Sequence, residues 1–149
     1  MKLPLMLTAA LALTGCAEFA PAFNPPSALA EGAFQALEIV DYSQATDIAR
    51  RPDCLHEDGL AEPFIGREPT QAKVSTYFAL SMTGHYLVSN WLAREADATG
   101  AEGWYALLGM WQVGSIGLEA VTVANNFKLG AKPFGTGLNR LCADHGKGF

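Results

Sequence analysis

The chain has 149 residues, half of them hydrophobic, with ten Lys and Arg against fifteen Asp and Glu and a formal net charge of −5. That length suits one domain with a single core. An acidic chain without a basic cluster argues against nucleic acid as a partner and against electrostatic docking to anionic lipid.

The N-terminus opens with Lys2 and an apolar run from Leu3 to Leu13, too short to span a bilayer, that leads into Leu13-Thr14-Gly15-Cys16. The small residues before the cysteine resemble a bacterial lipobox, where a signal peptidase cuts before a cysteine that then carries lipid. The resemblance implies a signal peptide over residues 1–15, acylation at Cys16 and a mature chain of 134 of the 149 residues. It also implies attachment through two or more acyl chains, which anchor stably where one chain binds marginally. Because Ala17 is not the Asp that commonly retains such proteins at the inner membrane, the expected site is the periplasmic face of the outer membrane. An ordinary secretory signal is the alternative.

With Cys16 lipidated, Cys54 and Cys142 remain, an even pair in an oxidising compartment, and a disulfide between them is expected. The competing reading is a structural zinc site from Cys54, His56, Cys142 and His145, although C-x-H and C-x-x-H are not familiar finger spacings. No metal or other cofactor is expected.

Residues 16–27 are rich in Pro and Ala and read as a lipidated tether, with the helical domain over 28–149. Ser27 is a suitable N-cap, and Phe34, Leu37, Val40 or Asp41, Gln44 and Ile48 recur at helical spacing up to Arg51, where Pro52 stops the helix. Glu31, Glu38, Asp41 and Asp47 argue against this helix crossing lipid. Residues 52–69 form a loop broken by Pro and Gly and dense in charge, including Glu57 and Glu62. A loop of that length in a compact domain is either functional or disordered.

Thr70 caps a second helix over about Gln71–Ala96, charge-free from Val74 to Ala93 apart from His85, which falls on its apolar side. An acidic linker, Arg94 to Gly103, leads to a third helix over about Trp104–Lys128. There Ala106, Gly109, Val113, Gly117, Ala120 and Ala124 form a small-residue face suited to close helix contact. Gln112, Ser115, Glu119, Thr122 and Asn126 form an opposite stripe, expected to face solvent. The tail from Gly130 reads as irregular. The fold class is therefore all-α, a small three-helix bundle.

The second and third helices are long enough to enter a bilayer, with Trp91 and Trp104 flanking their connection. Their Gly, Ser, Thr, Asn and Gln content and the cost of Glu119 in lipid speak against it. A two-helix hairpin would also send the acidic linker to the cytoplasm and leave Arg67, Lys73, Lys128 and Lys132 outside, inverting the positive-inside bias. A soluble bundle is the expectation.

Taken together, Asp41-x-x-Gln44, Glu62-Pro63-x-x-Gly66-x-x-Pro69, Tyr77-Phe78, Gly84-His85, Glu119 and Asn126 resemble a family of small lipoproteins of unknown function from bacterial and phage genomes. The resemblance covers about residues 41–130, and it departs where the family often has Glu-Asn-Pro in place of Glu62-Pro63 and Gln-Thr in place of Gln44-Ala45. It implies an envelope lipoprotein and no particular activity. Two functions stay open: a binding or structural module that engages another envelope protein, and an enzyme using Asp41, Glu62, His85 and Glu119 as acid and base. No G-x-S-x-G, phosphate-loop or H-E-x-x-H pattern is present. Binding is favoured, with Asp41, Gln44, Glu62, His85 and Glu119 expected to form a polar network between the helices.

Overall fold

The computed structural model describes residues 21–52, 55–57 and 59–135. These form helices and loops: α1 (Pro25–Ala49), a single-turn α2 (Glu62–Ile65), α3 (Gln71–Thr99) and α4 (Glu102–Lys128). α1 begins three residues earlier than the Ser27 cap implies. Asn24 is the cap, its Oδ1 accepting from the Ser27 amide at 2.9 Å, and Pro25 and Pro26 fill the first turn, where a missing N–H costs nothing. Thr70 caps α3 as the sequence predicts, its Oγ1 3.3 Å from the Lys73 amide. α3 runs on to Gly100, whose φ of 61° closes the helix in the left-handed conformation that glycine adopts without strain.

The three long helices all pack against one another. Contacts between α1 and α4 keep one offset along their length, with Ser27 on Gln112, Asp41 on Asn126 and Asp47 on Lys132, so the two run parallel. α3 runs opposite to both: Glu31 meets His85 and Tyr42 meets Ser75 across α1 and α3, while Trp91 meets Trp104 and His85 meets Trp111 across α3 and α4. One end of the molecule therefore holds the start of α1 and the α3–α4 turn. The other holds residues 50–70 and the end of α4.

Two apolar clusters lie at these ends. Ala45, Ala61, Ile65, Val74 and Phe78 form a cluster at the loop end. Leu92, Ala93 and Leu108 form another at the turn end, backed by Ala22, Phe23 and Trp104. The last residues of the expected tether are thus docked: the Ala22 amide donates to Asn90 Oδ1 at 2.9 Å and Phe23 meets Tyr86 edge to face.

The two faces of α4 are reversed from the sequence expectation. Gln112, Thr122 and Asn126, from the stripe expected to face solvent, are buried. Val113 on the small-residue face is 69% exposed, and Ala106, Gly117, Ala120 and Ala124 are exposed as well. The reason lies in α1, whose buried Ser27, Glu31, Glu38, Asp41, Gln44 and Asp47 present a polar stripe inward. Buried polar groups need partners, and the polar stripe of α4 supplies them for Ser27 and Asp41, while α3 supplies them for Glu31 and Glu38.

Candidate functional site

The middle of the molecule is a ladder of polar contacts. Ser27 and Gln112 exchange two hydrogen bonds, Oγ to Oε1 at 3.2 Å and Nε2 to the Ser27 carbonyl at 3.0 Å. One turn further along α1, both carboxylate oxygens of Glu31 lie close to His85 Nδ1, at 3.2 and 3.0 Å, and Gln35 Nε2 donates to the same carboxylate. The imidazole is stacked between two rings, 3.6 Å from Phe34 and 5.0 Å from Trp111 centroid to centroid. Trp111 Nε1 donates to Ser89 Oγ, which lies 3.4 Å from His85 Nδ1. A carboxylate at Nδ1 holds a proton there.

Glu38 follows, buried to 3% exposure, with Oε1 accepting from Ser81 Oγ at 2.7 Å. Asp41 accepts from Asn126 Nδ2 at 2.6 Å and shares a hydrogen bond with Glu119. A hydrogen bond between two carboxyl groups requires a proton on one of them, so this pair is held by a shared proton. Gln44 Nε2 donates to the Val123 carbonyl at 3.3 Å. At the loop end Asp47 pairs with Arg51 and accepts from the Lys132 amide at 3.0 Å, which ties the end of α1 to the chain leaving α4.

The residues singled out from the sequence therefore separate. Asp41 and Glu119 touch, and Gln44 reaches the α4 backbone one turn further on. His85 belongs with Glu31 and Ser89 instead. Glu62 is half-buried at the start of α2, 3.9 Å from the Arg67 guanidinium. The acid of that loop that turns inward is Glu57, 1% exposed and near enough to Asp41 and Glu119 for the charges to interact. Its Oε1 accepts from the Gly59 amide at 3.1 Å. A Cβ at Gly59 would lie only 2.8 Å from that oxygen, so a side chain there would displace the Glu57 carboxylate from the amide.

The inward role of Glu31 and Glu38 was legible, since both fall on the stripe of Phe34, Asp41 and Ile48 at steps of three and four. Glu57 carried no comparable signal, because no periodicity marks which side of a loop turns inward. Cys16, Cys54 and Cys142 lie outside the described residues. Among the described residues no group of three or more His, Cys, Asp and Glu could hold a metal ion.

A cleft of about 340 Å³ opens between α3 and α4 above this ladder, floored by Phe34 and Glu38 of α1 and walled by Tyr77, His85, Trp111 and Glu119. His85→Ala removes the ring from its stack and leaves Glu31 buried without its partner. The expected loss is about 2–4 kcal/mol, read as a fall in melting temperature by circular dichroism. A variant that melts like wild type would show that the stack carries no stability. No family model, curated protein or solved structure matches the chain.

Proposed function

We propose that the chain is a lipid-anchored three-helix bundle embedded in the cytoplasmic membrane of a bacterial envelope, and that it binds a ligand or partner rather than catalysing a reaction. The observation that supports this most is the inverted distribution of polarity. The acids of α1 all face inward, while Leu29, Ile39, Leu80, Trp91, Met110, Val113, Leu118 and Val121 face out. So many large apolar side chains exposed on three helices are unusual for a monomer in water. In lipid it is the arrangement expected, with polar side chains facing the bundle interior and pairing with one another.

Dimensions agree with this reading. α4 has 27 residues, roughly 40 Å at 1.5 Å per residue, and is long and apolar enough to cross a membrane, with only 22% of its apolar window buried. Among the described residues it alone meets that criterion. α1 falls short because of acids that are folded inward. The charge-free stretch of α3, residues 74–93, matches a hydrocarbon core of about 30 Å.

The charge argument against a hairpin also turns round. With α1 as a third span, the α3–α4 turn lies at the same end as the N-terminus, so an acylated Cys16 outside keeps the acidic linker outside. Arg50, Arg51, Arg67, Lys73, Lys128 and Lys132 gather at the opposite end, against Arg94 at the turn end. That distribution is the positive-inside pattern. The proposal replaces the outer-membrane site expected from Ala17.

The test gives residues 17–149 an ordinary cleavable secretory signal, so that no acyl chain contributes, and washes the membranes with alkaline carbonate. The chain is expected in the membrane pellet, and release into the supernatant would defeat the embedded reading. A second measurement uses thiol alkylation in intact cells. With the 50–70 segment on the cytoplasmic side, its thiol should stay reduced. A Cys54–Cys142 disulfide in the native protein would instead support a periplasmic bundle.

A further inference from the structure

The cleft between α3 and α4 combines buried acceptors that have no partner with an aromatic wall. Glu38 is 3% exposed, and its Oε2 has no hydrogen-bond partner among the described residues. His85 is 5% exposed, and its Nε2 has none either. Glu119 Oε1 is a third such atom, its carboxyl being engaged with Asp41 through a single hydrogen bond. All three residues line the same cleft, together with Tyr77 and Trp111, and neither Lys nor Arg lines it among the described residues. Uncompensated buried acceptors are costly, so their presence together calls for a donor that enters the cleft.

We propose that this cleft is a binding site for a primary alkylammonium ion. The two unpartnered carboxyl oxygens, Glu38 Oε2 and Glu119 Oε1, accept N–H bonds from an ammonium group. A metal ion fits less well, because among the described residues no three ligating side chains are gathered closely enough to hold one. N–H···O contacts of about 2.9 Å suit a more open set of acceptors than metal–oxygen bonds do. A quaternary ammonium has no N–H to give and would leave the acceptors unpaired. Tyr77, Trp111 and Leu118 in the lining offer apolar surface to its alkyl chain. The volume of about 340 Å³ accommodates a short chain. The proposal rests on the binding role argued above. It does not depend on whether lipid covers the exterior, because the cleft is formed by the bundle itself.

The experiment is a fluorescence titration of the detergent-solubilised, full mature chain carrying Trp91→Phe and Trp104→Phe, in which Trp111 is the remaining tryptophan. The probes are hexylamine hydrochloride, hexanol and tetramethylammonium chloride at neutral pH. Hexylamine is expected to give a saturable change, with at least tenfold weaker binding of the other two. Glu38→Gln should weaken hexylamine binding at least tenfold. Should that variant fail to fold, Ser115→Phe fills the cleft from its wall and should abolish the response while α-helical content is retained. An equal response to hexanol, no saturable response to hexylamine, or undiminished binding in the folded variants would overturn the proposal. The carbonate wash would be unaffected by any of these outcomes, so failure of the amine site and failure of membrane embedding are told apart.

Discussion

In residues 17–149 exported on a cleavable secretory signal, where no acyl chain contributes, Val113→Arg is expected to cut sharply the fraction of chain recovered in carbonate-washed membranes. Val113 lies near the middle of α4 and is 69% exposed on the outward face. An arginine at the centre of a membrane helix costs about 2.5–3.5 kcal/mol on insertion scales, which corresponds to a shift on the order of a hundredfold in the inserted population. The same substitution on a helix exposed to water should change stability by no more than about 0.5 kcal/mol, and arginine is a good helix former. The two environments therefore predict opposite results from one variant. If Val113→Arg leaves membrane recovery intact and melts like wild type, the outward face of α4 does not meet lipid.

Arg51→Ala is expected to be the most destabilising single change at the loop end. Arg51 and Asp47 are 7% and 1% exposed and pair one helical turn apart, and Asp47 also accepts from the Lys132 amide. Removing the guanidinium leaves a buried carboxylate without its counter-charge, a loss of about 3–5 kcal/mol. For a chain of this size that amounts to a fall in melting temperature on the order of 10 °C or more. The double variant Asp47→Asn with Arg51→Met removes both charges and keeps an acceptor for the Lys132 amide. It should recover most of the loss, because the desolvation of two ions disappears with them. An Arg51→Ala chain that melts with wild type would show that the pair does not hold the ends of α1 and α4 together.

The helices were largely legible because their signals are local. Asparagine, proline and threonine at the starts, glycine after α3 and the three-and-four spacing of Phe34, Asp41 and Ile48 all act within a few residues, and α3 and α4 lie within three residues of their sequence-based bounds. Side chains in the 52–69 loop were not legible in this way. Glu62 stood out by its spacing to Pro63 and Gly66, yet Glu57 is the acid that reaches the interior, since Gly59 lets the chain turn closely around it.

What the sequence determined by itself, then, is where the three long helices lie, to within about three residues, and which residues share a stripe on each. The single turn α2 inside the 52–69 loop was not among them. The sequence could not say which stripe of α4 faces inward, because Gln112, Glu119 and Asn126 read equally as a wet face or as one side of a buried ladder. That choice was made only when α1 came alongside, parallel to α4 and at a constant offset, with Ser27, Asp41 and Gln44 in position to pair. Pairing satisfies polar groups on both helices at once and turns the apolar faces outward. The same packing set the direction of α3 and so put the α3–α4 turn at the N-terminal end, which reverses the charge argument about the membrane. Stripes are properties of one helix, whereas facing and direction belong to pairs of helices far apart in the chain.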